Sequence, residues 1–278
     1  MEKRYNARLA ALEIGVLALG LLFLSPFYFV IVNSFKTLRE ILLDAARLPE
    51  VYRFENYRDV WEIIHFPQVF LNSLMITTLS VACIVAAGAM AGYRLARRPT
   101  AFNRFVFVLL VSAMIIPFQS IMLQLVRVTS LLELRGNLFG IVASYLGFGL
   151  PMAMFLFHGF VRSTVPLELE EAAIVDGCSP FGVFWKIVFP MLRPVMVTVV
   201  ILNTLWIWND YLLPVLISGG NKELTTIPLA VTRFFGQYTK QWDLALAGLA
   251  IAVAPVILFF LLLQKRIVEG VAAGSLKG

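Results

Sequence analysis

Charge is scarce in this chain: Asp, Glu, Lys and Arg make up 14% of its 278 residues, and 60% are hydrophobic. A soluble domain averages about 25% charged and about 45–50% apolar residues, so the bilayer is the expected solvent. Histidine and cysteine are rarer, with two of each. His65 and His158 stand far apart, and neither Cys83 nor Cys178 has metal-ligand spacing with a histidine. No disulfide is expected between a cysteine inside a membrane helix and one in a loop. The chain has no nucleophile elbow, metal pair or carboxylate dyad, which argues against a membrane-embedded enzyme. It also lacks the Gly-x-x-x-x-Gly-Lys-Ser/Thr phosphate loop, and no segment is long enough for a separate nucleotide-binding domain. Any ATP therefore has to be hydrolysed by another polypeptide. The chain is expected to be non-catalytic, with no cofactor or metal of its own.

What is present is a series of apolar runs, each able to cross about 30 Å of hydrocarbon with about 17–25 residues. They cover 9–32, 70–93, 105–126, 138–160, 195–217 and 244–263. A β-barrel is excluded, because its strands are short and alternate in polarity. The expected fold is all-α: one polytopic membrane domain over 1–278 with six transmembrane helices. Lys3, Arg4 and Arg8 precede the first run, but it is too long for a signal peptide and no small-residue cleavage pattern follows it. The net charge of +6 sits in short loops at helix ends, without an aromatic-interleaved basic patch. Nucleic acid is not an expected partner, and membrane lipid is. An even helix number puts both termini on one side. Total Lys and Arg counts on the two sides are close, 13 against 10, but Arg94, Arg97 and Arg98 with Lys265 and Arg266 abut helix ends on the side of the termini. That places both termini in the cytoplasm.

Three segments between the runs have readable structure. The first, 34–67, is expected outside, with a surface helix over Thr37–Arg47 carrying Leu38, Ile41, Leu42 and Ala45 on one face. It reads as an interfacial cover or as a docking surface. The second, 219–243, is also expected outside. Gly219-Gly220-Asn221-Lys222 should turn, and Thr226-Ile227-Pro228 should extend. Phe234, Phe235, Tyr238 and Trp242 then put aromatic surface near the membrane boundary.

The third segment, 161–193, is cytoplasmic in this orientation. Thr164 is placed to cap a helix beginning near Pro166, with Glu168, Glu170 and Glu171 near its positive dipole end. Gly177 offers positive φ after Asp176, Ser179 caps again, and Pro180 suits the first position of a second helix through Val188. The result is a helix, a tight turn and a helix. Ala172 and Ala173 leave room for a partner's close approach, and Leu169, Ile174, Phe181, Phe184 and Trp185 are apolar anchors. On these grounds alone it is either a membrane-surface loop or a docking element.

The spacing Glu171-Ala172-Ala173, three residues, Gly177, nine residues, Ile187, one residue, Phe189-Pro190 resembles the cytoplasmic loop of bacterial ABC importer permeases. Phe189 stands where that pattern usually has leucine. The resemblance implies a pair of coupling helices between membrane helices four and five, seated in the ATPase subunit through Glu171, Ala172, Ala173, Gly177, Ile187 and Pro190. Phe70-Leu71-Asn72-Ser73-Leu74, Ala91-Gly92-Tyr93-Arg94-Leu95-Ala96-Arg97, Ile115-Ile116-Pro117, Trp208-Asn209-Asp210 and the tail 270–278 look like the carbohydrate-importing branch. They are most similar to the smaller permease subunit of maltose-type transporters.

That resemblance implies a second, different permease as heterodimer partner, two ATPase subunits holding ATP and Mg, and an extracytoplasmic solute-binding protein that delivers a sugar. It also implies a bacterial or archaeal cytoplasmic (inner) membrane. The outer loop 219–240 would reach into the binding protein, and the tail 269–278 would contact the ATPase. Permeases for amino acids or peptides share the cytoplasmic loop and remain the alternative. An ion-coupled carrier would show inverted repeats with acidic residues near mid-membrane, and none is evident.

Asp210 lies 16 residues beyond Pro194, about 24 Å along the fifth helix. A charge at the bilayer centre costs about 2.5–3.5 kcal/mol, so Asp210 should face the bundle or a wet cavity. Asn203, Trp206 and Asp210 share one helical face, and with Asn209 they offer an aromatic plane and hydrogen-bonding groups suited to a sugar. The other reading of Asp210 is a cap or a bridge between helices. Asn72, Gln119, Gln124 and Tyr145 are weaker pathway candidates that interhelical hydrogen bonds also explain. Pro117, Pro151, Pro214 and Pro255 are candidate kinks.

Overall fold

A computed structural model describes residues 7–236 and 241–275. In chain order its helices are α1 (Ala7–Asn33), α2 (Leu38–Leu43), α3 (Glu55–Ile63), α4 (Phe66–Arg97), α5 (Ala101–Ala113), α6 (Phe118–Leu131), α7 (Leu138–Thr164), α8 (Leu167–Val175) and α9 (Pro180–Val183). A π-helical turn, Phe184–Val188, leads into α10 (Phe189–Met191), α11 (Arg193–Asn209), α12 (Leu212–Ile217), α13 (Ile227–Val231) and α14 (Trp242–Ser275).

Among the described residues, four helices are long and apolar enough to cross a membrane: Ala11–Asn33, Phe66–Arg97, Leu138–Thr164 and Trp242–Leu261. Two bent pairs raise the number to six if each pair is one span. The expected straight run over 105–126 is one of these pairs, α5 and α6 meeting at 108°. Pro117 causes the break. It has no N–H to donate, and it drives the preceding residue out of the helical region. Ile115 and Ile116 close a tighter turn instead, on Ser112 and Ala113. Pro180–Met191 and α11 form the other pair, bent by 75°. The expected run 195–217 stops at Asn209 and resumes at Leu212. Asp210 is extended there, and its Oδ1 accepts from the Leu212 N–H at 2.9 Å. Pro151 and Pro255 lie inside unbroken helices.

The chain divides into two compact units, Met1–Phe66 with Ala230–Pro255 and Pro67–Leu229 with Val256–Gly278. The second holds the core that positions the site. Ile76, Ile84 and Ala89 of α4 pack among Tyr145, Ala153, Phe157 and Val161 of α7 and Val199 and Ile207 of α11, all buried. Gly88 and Gly92 make this approach possible. A Cβ on Gly88 would stand 2.7 Å from Ala153 Cβ, and one on Gly92 would stand 2.9 Å from the Met154 carbonyl oxygen. Two glycines four apart on an apolar helix let two backbones touch, and the sequence reading passed over this signal.

In the first unit, Thr37 caps α2 reciprocally with Glu40. The backbone N–H and hydroxyl of Thr37 both donate to Glu40, which holds its carboxyl below the usual range. The expected helix over Thr37–Arg47 ends at Leu43, because Asp44 Oδ1 accepts from the Ala46 and Arg47 N–H groups and forms a turn. Lys36 is 1% exposed, its ammonium donating to Asn33 Oδ1 and to the carbonyls of Asp44 and Ala45. The apolar side chains of α1 from Leu12 to Phe23 are exposed. Phe234 is buried, and Phe235 meets Trp242 edge-on at 5.6 Å. Tyr238 and Lys240 fall outside the described residues.

Thr226-Ile227-Pro228 does not simply extend. A short helix starts at Ile227, with Pro228 in the first turn, where its missing N–H has no helical partner to lose.

Candidate functional site

The helix-turn-helix forms at 167–191. Thr164 does not cap it, because that residue still belongs to α7; Pro166 takes the N-cap position, extended and without a side-chain bond. At the far end the Asp176 N–H donates to Ala172 O, the Gly177 N–H to Ile174 O and the Cys178 N–H to Ala173 O. This closing pattern requires the left-handed residue that Gly177 supplies, at φ +87°. Ser179 Oγ then accepts the Gly182 N–H at 3.1 Å, and Pro180 opens α9.

Around this turn the chain presents apolar surface. Leu169, Ile174, Val175 and Phe181 are exposed, Val175 to 86%. Glu171, Ala172, Gly177 and Pro190 are also exposed, and Ile187 is half-buried. Ala173, expected as a contact position beside Ala172, is turned into the chain's own core. Phe184, expected as an anchor, is buried as well, and Trp185 is half-buried against Phe189 at 4.8 Å.

Glu170 is the residue that sequence reasoning missed. It was read only as a charge near a helix N-terminus, yet it is 4% exposed, on the inward face of α8. Arg97, in the last turn of α4, meets Glu170 Oε1 at 2.7 Å and donates to Val165 O at 2.7 Å. The Tyr93 hydroxyl donates to Oε2 at 2.8 Å. Tyr93 and Arg97 are four apart and share a helix face, which is the signal available in advance. Removing one partner of such a buried pair leaves an uncompensated charge, at a cost of about 3–5 kcal/mol. The exposed tip is thus fastened to the end of α4.

The second candidate group lies at the break between α11 and α12. Asp210 Oδ2 accepts from the Tyr145 hydroxyl at 3.0 Å while Oδ1 holds the Leu212 N–H, so Asp210 both caps and bridges. Asn203 is buried and donates to Val199 O; Asn209 is exposed and donates to Leu205 O. Trp206 is exposed and stands edge-on to Tyr145 at 5.5 Å. Gln119 and Gln124 are exposed on α6. Asn72 is buried, and its Nδ2 donates to Thr225 O at 3.0 Å. The neighbouring Ser73 Oγ accepts the Ile227 N–H at 2.9 Å.

This architecture, with several helices long and apolar enough to cross a membrane, is that of a multi-pass membrane protein. Residues 84–272 match the family described as binding-protein-dependent transport system inner membrane component, and the chain belongs to that family. It is 39% identical over 263 residues to the probable starch degradation products transport system permease protein AmyC of Thermoanaerobacterium thermosulfurigenes, covering 94% of each chain. It is 34% identical over 257 residues to the melibiose/raffinose/stachyose import permease protein MelC of Bacillus subtilis (strain 168), covering 91% of each. In fold it is similar to a chain of a bacterial ABC transporter involved in import of the acidic polysaccharide alginate, with TM-score 0.74 and 18% identity over 95% of this chain and 99% of the other.

Proposed function

We propose that this chain is the membrane subunit through which an ATP-driven importer takes up a sugar or oligosaccharide delivered by an extracytoplasmic binding protein. The observation that carries the reading is the exposed tip at Ile174–Phe181, apolar yet rigidly turned at Gly177 and fastened to the bundle through Glu170. A soluble partner explains why such a surface is built outside the long apolar helices. In this reading each bent pair completes one span, giving six, with both termini and the 167–191 segment cytoplasmic. Glu171, Ala172, Gly177 and Pro190 contact a separate ATPase subunit, while Ala173 and Ile187 seat the helices against the core. ATP and Mg belong to two such ATPase subunits, and a second, homologous permease completes the pathway.

The names of the relatives, which refer to probable transport of starch degradation products and to melibiose/raffinose/stachyose import, support a carbohydrate substrate. Asn203, Trp206, Asn209 and Asp210 are proposed to line the sugar's path. Trp206 and Asn209 face it, and Asn203 and Asp210 shape it from behind.

The test is reconstitution with the partner permease, ATPase and binding protein in liposomes, measuring uptake of labelled maltotriose and raffinose. The reading expects uptake that needs both ATP and binding protein. Uptake by this chain alone under an ion gradient, indifferent to ATP, would sink it.

A further inference from the structure

Helix α4 carries a buried polar clasp at each end, and each clasp holds a different irregular segment. Near its start, Asn72 and Ser73, 3% and 2% exposed, hold the backbone of Thr225 and Ile227. Gln68 Nε2 donates to Asn72 Oδ1 at 3.2 Å and orients it. Near its end, Tyr93 and Arg97 hold Glu170 and Val165 O. Ser73 and Tyr93 are 20 residues apart, about 30 Å along a helix axis. Between them α4 is unbroken, pressed onto α7 at Gly88 and Gly92.

The glycine contacts set how closely α4 approaches α7. Directed hydrogen bonds at both ends fix its axial register to two segments distant in sequence. We infer that α4 is the rod that carries displacement between the exposed helix-turn-helix and the 225–227 segment, with Glu170 and Ser73 as positioning residues at its two ends. This rests on the proposed function, in which 167–191 meets the ATPase and 225–227 is the root of the outer loop. Two local staples with no mechanical connection are the competing account.

The experiment uses the assembled transporter in liposomes and the ratio of ATP hydrolysis with binding protein plus maltotriose and raffinose to hydrolysis without them, per mole of complex. Glu170→Gln and Ser73→Ala are each expected to cut this ratio about tenfold while leaving unstimulated hydrolysis in place. The double variant should be no worse than the worse single, because one link is already cut. Glu170→Asp and Ser73→Thr, which keep the charge and the hydroxyl, should stay within about twofold of the unaltered protein. Losses that multiply, or conservative variants as impaired as the severe ones, would overturn the rod. If Glu170→Gln does not assemble, Tyr93→Phe, which removes one hydrogen bond to Glu170 and keeps the ion pair, takes its place throughout; if Ser73→Ala does not assemble, amide exchange at Ile227 decides. ATP with vanadate should change it in the unaltered complex and leave it unchanged in Glu170→Gln, and an equal change in both overturns the inference. An unaltered complex whose hydrolysis ignores the binding protein would sink the proposed function itself, whereas normal stimulation in every variant would sink only the rod.

Discussion

The helix-turn-helix at 167–191 and the broken helix at 203–212 are both irregular, polar interruptions in an apolar chain, and they dispose of their polar groups in opposite ways. At 167–191 one polar residue, Glu170, is buried and paired, while Leu169, Glu171, Ala172, Ile174, Val175, Gly177 and Phe181 around the turn are exposed. At 203–212 the side chains of Asn203, Asn209 and Asp210 bond to the chain itself, to Val199, Leu205, Leu212 and Tyr145. The first pattern leaves apolar surface that the chain itself does not cover. The second shows that a polar residue inside an apolar helix is often accounted for by the backbone beside it, leaving Trp206 and Asn209 exposed.

The sharpest way to break this comparison is Gly177→Asp. Open space surrounds the Cβ position, so no clash disturbs the core. Asp tolerates the left-handed backbone better than most residues, below the roughly 1–2 kcal/mol of an ordinary one, so the main change is the charge its carboxylate adds to an apolar tip. Sugar uptake should fall to background while the chain still inserts and purifies with its partner permease; uptake at the unaltered rate would show that the tip is not a working surface.

A smaller effect is expected at the break. Tyr145→Phe removes a hydrogen bond to a charged group, worth about 1.5–3 kcal/mol. It should lower the unfolding midpoint in detergent and leave the KM for maltotriose near its original value. A raised KM at unchanged stability would move the Tyr145–Asp210 pair from scaffold to pathway.

The smallest effect belongs to the α2 cap. Thr37→Ala should cost about 0.5–2 kcal/mol locally, read as faster amide exchange over 38–43. Because Glu40's carboxyl is lowered in the folded chain, the cap's contribution is full above the ordinary carboxylate value and fades as pH falls through the lowered one. Protection over 38–43, corrected for the intrinsic pH dependence of amide exchange, should therefore fall on acidification in the unaltered chain, and by a smaller step in Thr37→Ala, which keeps the backbone N–H to Glu40 and loses only the hydroxyl.

Much of this was legible in advance where the cause is local. Ser179 before Pro180 and Gly177 after Asp176 define the turn within a few residues, and both behave as their chemistry requires. Pro117 announced a kink, though not that it would turn the chain by 108°. Thr164 failed as a cap because α7 ran on through it, driven by packing that no capping rule registers. Ala173 and Phe184 face inward because the α8 to α10 segment rolls against the core, and a nine-residue helix with apolar residues on several sides does not say which side is buried.

The sequence by itself determined the apolar character, the helical class, the four runs that form unbroken membrane-length helices, and the turn at Gly177, since composition, run length and backbone sterics act within a few residues of their cause. Only the tertiary structure decided that Arg97 reaches Glu170, that Asn72 and Ser73 hold Thr225 and Ile227, and that Tyr145 meets Asp210. Those pairs are separated by 65 to 154 residues, and what brings them together is the packing of α4, α7 and α11 in one core, with α4 closest to α7 at Gly88 and Gly92. A buried polar group must be satisfied by whatever packing brings near, and the periodicity of a helix does not name that neighbour.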